Sequence, residues 1–546
     1  MSRALRSELD VAALQARLSE FQATIATFEG ERTSWREQLD ALERERQALQ
    51  QETKVLRVER DLYKERVAAF ERRLFAAKSE QRGINQHDLF FNEAEALAPT
   101  SPSVPKVRVP AHERARRGRK PLDPGLPREV IRYELPEDER VCPHDGSALK
   151  EIGVEASEQL DIVPAQVRVI RHERVKYACA CCSQTMRTAS APPKLIPKAL
   201  LTESALAWVI TAKYQDALPL YRQAALLGRF GGEIARNTLA HSVVQVGRAV
   251  VPIINLLRDY LLDAALVHGD ETEVQVLKEN GRPAQAKSYL WIQMSGTGPP
   301  VRLFTYAPSR SAKTAVELYA GARGALITDG YEPYDTVARV NDLIHLGCMA
   351  HARRYLVEAE AALPKTARPP DHPATTMLAV ITELYAVEAR WRQRPAAPDE
   401  SAEQAFALRE QMRQEYSAPL IKRLEALLLA HLHSVLPQSL LGKALHYLHE
   451  QWPKLVRFLD DGRYPIDNNA CENAIRPFVI GRKNWLFSDS VAGAQASANL
   501  YSLIETAKAN GIEPYRYLCA LFKALPAARS VDDYEALLPW RITLAA

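Results

Sequence analysis

Three acidic residues in this 546-residue chain have the positions of a metal centre. The apolar run Ala265–Val267 leads into Asp270, and the run Ala325–Thr328 ends in Asp329, so each acid belongs to a predicted strand region. Two neighbouring strands would bring these carboxylates to one point. Hard divalent cations prefer oxygen ligands, and a pair of ions about 3.5–4 Å apart suits phosphoryl transfer. The pattern predicts two Mg²⁺ (or Mn²⁺) ions bound by Asp270, Asp329 and a third acid.

The third acid is expected on a later helix. A helix is predicted from Asp467, or from an adjacent Asn that caps it, to Pro477, which would end it. The i, i+4, i+8 spacing of Asn468, Glu472 and Arg476 gives them one face, so a carboxylate and a guanidinium point the same way. Glu472 is therefore the predicted third metal ligand.

Two other sets of ligands compete with this choice. Glu271 could replace Asp270, but period-two alternation along a strand turns it to the opposite face. Cys348 and His351 have the spacing of metal ligands. A structural helix start is the favoured interpretation of that pair.

The elements that would position these residues change from helices to strands near residue 264. Residues 289–294 and 301–306 predict a hairpin around a Ser-Gly-Thr-Gly-Pro-Pro turn, a helix follows near 311–320, and another strand lies near 343–348. Three antiparallel strands, a helix, a strand, a helix and a strand is the order of an RNase H-like α/β core. Its first part is predicted over 264–351, with the first and fourth strands side by side.

The chain beyond this point is predicted as helical over 352–460, broken at 364–373 and 394–401. Residues 461–546 return to the core with the Glu472 helix and a C-terminal tail. The fold class is therefore multidomain α+β.

The N-terminal residues 1–80 carry an unbroken heptad pattern over 11–74, which predicts a coiled coil. Self-association is the natural consequence. A different partner chain, or a helix packed on its own protein, is also compatible with the pattern.

A basic, Pro-rich linker is predicted over 81–125. An extended basic segment can reach phosphates or a narrow minor groove. Its predicted DNA-binding residues are Arg116, Arg117, Arg119 and Lys120. A merely solvated linker is the alternative.

A zinc-ribbon-like module is predicted over 126–192, where two cysteine corners flank strand-like sequence. Zinc takes four N, S or O ligands in a tetrahedron. The predicted Zn²⁺ ligands are Cys142, Asp145, Cys179 and Cys182. His144 could replace Asp145, and Cys181 could replace a neighbouring cysteine. A metal-free module with free thiols is the alternative.

A helical DNA-binding region is predicted over 193–263. Tyr214 to His241 has the outline of a helix-turn-helix, whose second helix would present Arg236 and Asn237 to base edges. A plain helical hairpin fits the same residues.

The composition of the whole chain excludes several classes of protein. The net charge of +4 does not by itself indicate a nucleic-acid partner. The N-terminus is too charged for a signal peptide, and charged residues interrupt every long apolar run, so we expect a cytoplasmic protein without a membrane partner. Seven cysteines are too few and too unevenly placed for a secreted disulfide framework.

Several motifs, taken in order along the chain, resemble the IS66 family of insertion-sequence transposases. They are His268-Gly269-Asp270-Glu271-Thr272, Thr328-Asp329-Gly330-Tyr331, Gly347-Cys348-Met349-Ala350-His351-Ala352-Arg353-Arg354, Asp467-Asn468-Asn469 with Glu472, and Gly481-Arg482-Lys483-Asn484-Trp485-Leu486-Phe487. The resemblance implies a DDE triad of Asp270, Asp329 and Glu472, and a helical insertion before the Glu helix. It also implies cleavage at the ends of the element and strand transfer into target DNA.

The partners expected from this reading are double-stranded DNA, as terminal inverted repeats and as target. Arg476, Arg482 and Lys483 would lie near phosphates. Small companion proteins of the element are a further expectation. One alternative is a non-catalytic, sequence-specific DNA-binding protein with a decayed RNase H-like core. Another is an RNase H-like nuclease that hydrolyses DNA without joining it.

Overall fold

The computed structural model describes residues 4–75, 130, 167–178, 186–362, 371–397 and 399–544. The chain divides into two compact units. One comprises residues 1–77, 172–229 and 233–546, and everything described below belongs to it. The other comprises residues 78–171 and 230–232.

The N-terminal segment is one helix of 72 residues, α1 (Ala4–Phe75). The apolar heptad side chains that the structure describes are exposed in the single chain: Leu42, for example, is 64% exposed. The helical prediction for this segment is confirmed. Two short antiparallel strands follow, β1 (Lys176–Ala178) and β2 (Met186–Thr188), with Tyr177 opposite Arg187.

The region just before the sheet is helical, as the sequence predicts. Its helices are α2 (Glu203–Tyr214), α3 (Leu220–Arg229), α4 (Arg236–Ala249) and α5 (Val251–Leu262). The Thr202 hydroxyl caps α2 by accepting the Ala205 N–H at 3.2 Å. None of the described helices is by itself long and apolar enough to cross a membrane; α4 and α5 pass that test only as a pair bent by 49°.

The elements of the next segment have the predicted order. They are β3 (Leu266–Lys278), β4 (Lys287–Ser295), β5 (Arg302–Ala307), α6 (Ala312–Leu318), β6 (Ala325–Ile327), α7 (Pro333–Val340) and β7 (Ile344–Leu346). The strand order in the sheet is β5-β4-β3-β6-β7. The first three strands are antiparallel, and β6 lies parallel to both β3 and β7. The first and fourth strands of this segment are therefore neighbours, as predicted.

A helical segment follows the sheet, as predicted. The predicted break at 394–401 lies between two of its helices, and most of the break predicted at 364–373 lies outside the described residues. Its helices are α8 (Met349–Ala362), α9 (Pro373–Gln393), α10 (Ala402–Met412), α11 (Ala418–His431) and α12 (Leu440–Leu455). A π-helical turn, Arg413–Ser417, joins α10 to α11. Arg413 is fully buried there, where its Nε donates to Glu388 Oε1 at 2.7 Å and one terminal nitrogen donates to three backbone carbonyls.

The last elements return to the sheet. They are α13 (Asn469–Trp485), β8 (Ser488–Ser490), α14 (Val491–Ala509), α15 (Pro514–Ala524) and α16 (Val531–Glu535). Strand β8 pairs with the distal part of β3. The prediction that Pro477 ends α13 is wrong, because the helix continues to Trp485. Proline removes only the hydrogen bond to the Asn473 carbonyl, and the burial of Phe478 and Gly481 beyond it keeps the helix packed.

Two apolar clusters hold the sheet between two sets of helices. Val267 and Leu326 belong to the cluster that includes α2, α4, α5 and α14. Leu266 and Ile327 belong to the cluster formed with α8, α9, α11 and α12. Because successive strand residues face opposite ways, β3 and β6 each contribute to both clusters and are packed from both sides.

Helix α14 also covers the open edge of the sheet. Ser502 Oγ accepts the Phe304 N–H at 2.8 Å, and Thr506 Oγ1 accepts the Arg302 N–H at 3.1 Å. The two hydroxyls stand one helical turn apart and meet alternate residues of β5. Side chains of a helix thus replace a further strand at an edge whose backbone donors would otherwise lack partners.

Candidate active site

The first two predicted acids lie on neighbouring parts of the sheet. In the parallel pairing of β3 and β6, His268 lies opposite Ile327. Asp270 stands two residues beyond this pair within β3, and Asp329 stands two residues beyond it, just after the end of β6. Neighbouring strands are about 4.8 Å apart. Asp270 Oδ1 accepts the Glu271 N–H at 2.8 Å, and Asp329 Oδ1 accepts the Tyr331 N–H at 3.0 Å. The Oδ2 atom of each accepts no hydrogen bond from the residues described.

Asn468 fixes the start of α13 to the same part of β3. Its Nδ2 donates to the Gly269 carbonyl at 2.9 Å, and its Oδ1 lies 2.8 Å from His268 Nδ1. With Oδ1 turned to the imidazole, Nδ1 is the protonated nitrogen and donates. Burial lowers the pKa of His268 to about 4, so the ring is neutral. A residue 1% exposed therefore joins α13 to the strand immediately before Asp270.

Glu472 lies one helical turn after Asn468, in the first turn of α13. Its side chain is 18% exposed. Oε2 accepts from Arg354 at 3.3 Å, while Oε1 is buried and has no hydrogen-bond partner among the described residues. The imidazole of His351 lies beside Oε1, with Nδ1 3.6 Å away.

The carboxylates of this site act on one another. Burial, and then the charges of Glu271 and Asp329, raise the pKa of Asp270 well above its usual value, with a smaller contribution from Glu472. The three predicted acids are thus within electrostatic reach in the folded chain. Such a group of carboxylates is unfavourable without a positive charge beside it.

Glu271 has other partners. Its Oε2 accepts from the Tyr334 hydroxyl at 2.7 Å, and Arg310 approaches Oε1 to 3.7 Å. Burial raises the pKa of Glu271 to about 7. A carboxylate bonded in this way is less suited than Asp270 to bind a cation.

The donor set fits divalent cations. It offers unbonded oxygens on Asp270 and Asp329 and a buried, unpartnered oxygen on Glu472. An unpaired buried carboxylate oxygen is costly, and a hard cation satisfies it. The sequence did not predict Arg354 or the His268–Asn468 pair as parts of this site. Asn468 shares a helix face with Glu472, which is a local signal, but nothing local in the sequence indicates its partner 200 residues away.

The predicted DNA-binding residues of the last helices differ in their surroundings. The Arg482 guanidinium donates to the Glu273 carbonyl, so one of its donors is already used. Lys483 is exposed, and Arg476 is partly buried. The guanidinium of Arg476 has no hydrogen bond or ion pair within the part of the chain that the structure describes.

The remaining predicted residues fall into two groups. Arg236 and Asn237 are exposed in the first turn of α4, which begins without a side-chain cap. The others lie outside the described residues: Arg116, Arg117, Arg119, Lys120, Cys142, Asp145, Cys179 and Cys182.

Comparison with known proteins identifies the family of the chain. Residues 198–496 match the transposase IS66 family, and residues 139–183 match the zinc-finger binding domain of transposase IS66. Residues 502–540 match the IS66 C-terminal element, and residues 62–131 match a domain described as transposase C of IS166 homeodomain.

Two relatives from Sinorhizobium fredii (strain NBRC 101917 / NGR234) are uncharacterized proteins. The first, y4jD, is 33% identical over 430 residues, which cover 76% of this chain and 81% of the relative. The second, y4qI, is 31% identical over 544 residues, which cover 97% and 94%. From the order of these matches along the whole chain, the protein belongs to the IS66 family of transposases.

Proposed function

We propose that this protein is a DDE transposase with an RNase H-like catalytic core, in which Asp270, Asp329 and Glu472 bind two divalent metal ions, Mg²⁺ or Mn²⁺. One observation carries the proposal. Two acids stand two residues beyond the same pair of residues in adjacent parallel strands, and the first turn of α13 brings a third acid, tied through Asn468 to the residue before Asp270. The strand order β5-β4-β3-β6-β7 is the one that an RNase H-like core requires.

The reaction that fits this site is phosphoryl transfer in two steps. In the first, a water oxygen bonds to phosphorus at the end of the element and the bond to the 3′ oxygen breaks, which leaves a 3′-hydroxyl. In the second, that hydroxyl oxygen bonds to a target phosphorus and the target's 3′ oxygen leaves. Each step exchanges one P–O bond for another, so joining needs no external energy source. The bound ions would activate the nucleophile and stabilise charge on the leaving oxygen.

The protein residues position the reacting groups. Arg354 donates to Glu472 Oε2 and so holds that carboxylate in one orientation. Asn468 fixes the distance between α13 and β3. Arg476 and Lys483 are free to neutralise phosphates of the DNA, because neither has a carboxylate partner in the described structure. Preorganised ligands and charges of this kind reduce the barrier by positioning rather than by acid–base chemistry.

DNA recognition is assigned to three further parts of the chain. The exposed first turn of α4 would present Arg236 and Asn237 to bases or phosphates, since an uncapped helix N-terminus favours anions. The basic linker residues Arg116, Arg117, Arg119 and Lys120 would contact the backbone or minor groove. The zinc module, with Cys142, Asp145, Cys179 and Cys182 as ligands, would position both.

The N-terminal helix is proposed to pair two copies of the chain. Its apolar heptad side chains are exposed over many turns in the single chain. Pairing would bury this seam and bring two active sites together, which suits an enzyme that joins two ends of one element. Companion proteins encoded by the element would add to this assembly.

The proposal is tested with the DNA that flanks the gene. The full chain is incubated with end-labelled flanking DNA, Mg²⁺ and a target plasmid, and nicked and joined products are measured. The wild type is compared with Glu472→Gln and with Glu450→Gln, a matched change at an exposed surface glutamate. We expect nicking and joining by the wild type and by Glu450→Gln, and neither by Glu472→Gln.

Three other results would contradict the proposal. Binding without nicking, even with the element's neighbouring gene products added, would indicate a DNA-binding protein with a decayed core. Nicking without joined product would indicate a nuclease. Full activity of Glu472→Gln would remove Glu472 from the metal centre.

A further inference from the structure

A histidine beside Glu472 is not one of the three acids or of the residues that hold them. His351 lies in the first turn of α8, and its side chain is 20% exposed. Its Nδ1 atom is buried and has no hydrogen-bond partner among the described residues. Glu472 Oε1 lies 3.6 Å from this nitrogen, and it is buried and unpartnered too.

Two unsatisfied atoms that face each other need a third group between them. A separation of 3.6 Å is too long for an N–H···O hydrogen bond, whose usual length is about 2.7–3.2 Å. Bonds of about 2.0–2.2 Å from one cation to a nitrogen and an oxygen allow separations up to about 4 Å. The pair is therefore spaced as two ligands of the same ion.

The packing of the two helices maintains this geometry. The Met349 N–H at the start of α8 donates to the Ile466 carbonyl just before α13, at 3.1 Å. Cys348 Sγ accepts the Asn468 N–H at 3.2 Å. Sγ, His351 and Glu472 offer ligand atoms within 4.8 Å of one another, but the hydrogen bond to Asn468 gives Cys348 a structural function.

We propose that His351 is a nitrogen ligand of the metal ion that Glu472 binds, which makes the centre an Asp-Asp-Glu-His site. This inference rests on the proposed metal centre. A neutral imidazole can coordinate Mg²⁺ weakly and Mn²⁺ better, because nitrogen ligands suit transition metals. The site should accordingly bind Mn²⁺ more tightly than an all-oxygen site of the same charge would.

The test uses a signal that reports the ligand directly. The full chain is titrated with MnCl₂, and pulsed electron paramagnetic resonance then measures the coupling of the manganese electrons to ¹⁴N. The variants are His351→Gln, His351→Asp, Glu472→Gln and the surface control His446→Gln, whose histidine pairs with Glu450 and is 67% exposed. Thermal unfolding verifies that each variant is folded.

We expect a ¹⁴N coupling in the wild type and in His446→Gln, and its loss in both His351 variants. His351→Gln should bind Mn²⁺ about 10-fold more weakly or worse. His351→Asp keeps an oxygen ligand at the same place, so it should retain Mn²⁺ affinity while the nitrogen signal is absent. This variant separates coordination from a role in folding.

Failure of the inference differs from failure of the proposed function. If Glu472→Gln weakens Mn²⁺ binding but the wild type has no ¹⁴N coupling, or the coupling persists in His351→Gln, then His351 is not a ligand and the three-acid centre stands. If Mn²⁺ affinity is unchanged in Glu472→Gln, the metal centre itself is refuted, and the histidine ligand with it.

Discussion

The first prediction concerns Asn468, whose side chain joins α13, the helix that carries Glu472, to β3. Asn468→Ala removes the two side-chain hydrogen bonds that join α13 to β3. The His268 Nδ1–H and the Gly269 carbonyl are both buried and would lose their partners. Each unsatisfied buried group costs about 1–3 kcal/mol, so the free energy of unfolding should fall by about 2–6 kcal/mol.

The same change should damage catalysis beyond its effect on stability. Without the bond to Gly269, the first turn of α13 is free to shift, and Glu472 moves with it. A displacement of about 1 Å at a reacting centre can lower the rate about 100-fold. We therefore expect strand cleavage to fall by about this factor under conditions in which the variant is still folded.

Two assays are used: urea unfolding monitored by tryptophan fluorescence, and cleavage of end-labelled element DNA. The control is Asn469→Ala, which removes one partly buried hydrogen bond, from Asn469 Nδ2 to Asp467 Oδ2 at 2.8 Å. It should cost about 1 kcal/mol and change cleavage little. If Asn468→Ala unfolds within about 1 kcal/mol of the wild type and cleaves normally, Asn468 does not position Glu472 and the reasoning is refuted.

Three further predictions concern stability and assembly. Glu388→Gln leaves the buried guanidinium of Arg413 without its counter-charge and should lower the free energy of unfolding by about 3–5 kcal/mol. Replacing Glu388 and Arg413 together by methionine should lower it by less than the sum of the two single methionine changes. Additive losses in urea unfolding would contradict this prediction. Hydrogen bonds and charges from His345 and Lys454 lower the pKa of Asp335 to about 2. The stabilisation that ionised Asp335 provides should therefore be complete at pH well above 4 and be lost as the pH falls towards 2. The difference in melting temperature between wild type and Asp335→Asn should shrink from pH 7 to pH 3. A difference that grows over this range would refute the lowered pKa of Asp335. Leu42→Asp, at an exposed heptad position, should reduce the mass measured by light scattering to that of one chain, whereas Glu43→Asp should not; equal masses for the two variants would exclude pairing through this seam.

The local pattern of the sequence was enough to locate the elements and the first candidate ligands. An apolar run leads into each of Asp270 and Asp329. Asp329 follows the end of β6, whereas Asp270 lies within β3, which continues to Lys278. Heptad spacing in the same way predicts the long N-terminal helix. The prediction that Pro477 ends the helix was wrong, because the burial of residues beyond it outweighs one lost hydrogen bond.

The tertiary structure alone determined which residues that are distant in the sequence form hydrogen bonds with one another. Arg354 meets Glu472 across 118 residues, and Asn468 meets Gly269 across 199. Ser502 meets the edge of β5 across 198. Periodicity indicates which face of a helix or strand is apolar. It does not indicate which distant residue donates a hydrogen bond to a given acceptor, because that depends on how the helices and strands pack. The candidate acids follow from local patterns in the sequence, whereas the contacts of His351 and Arg354 with Glu472 follow from packing.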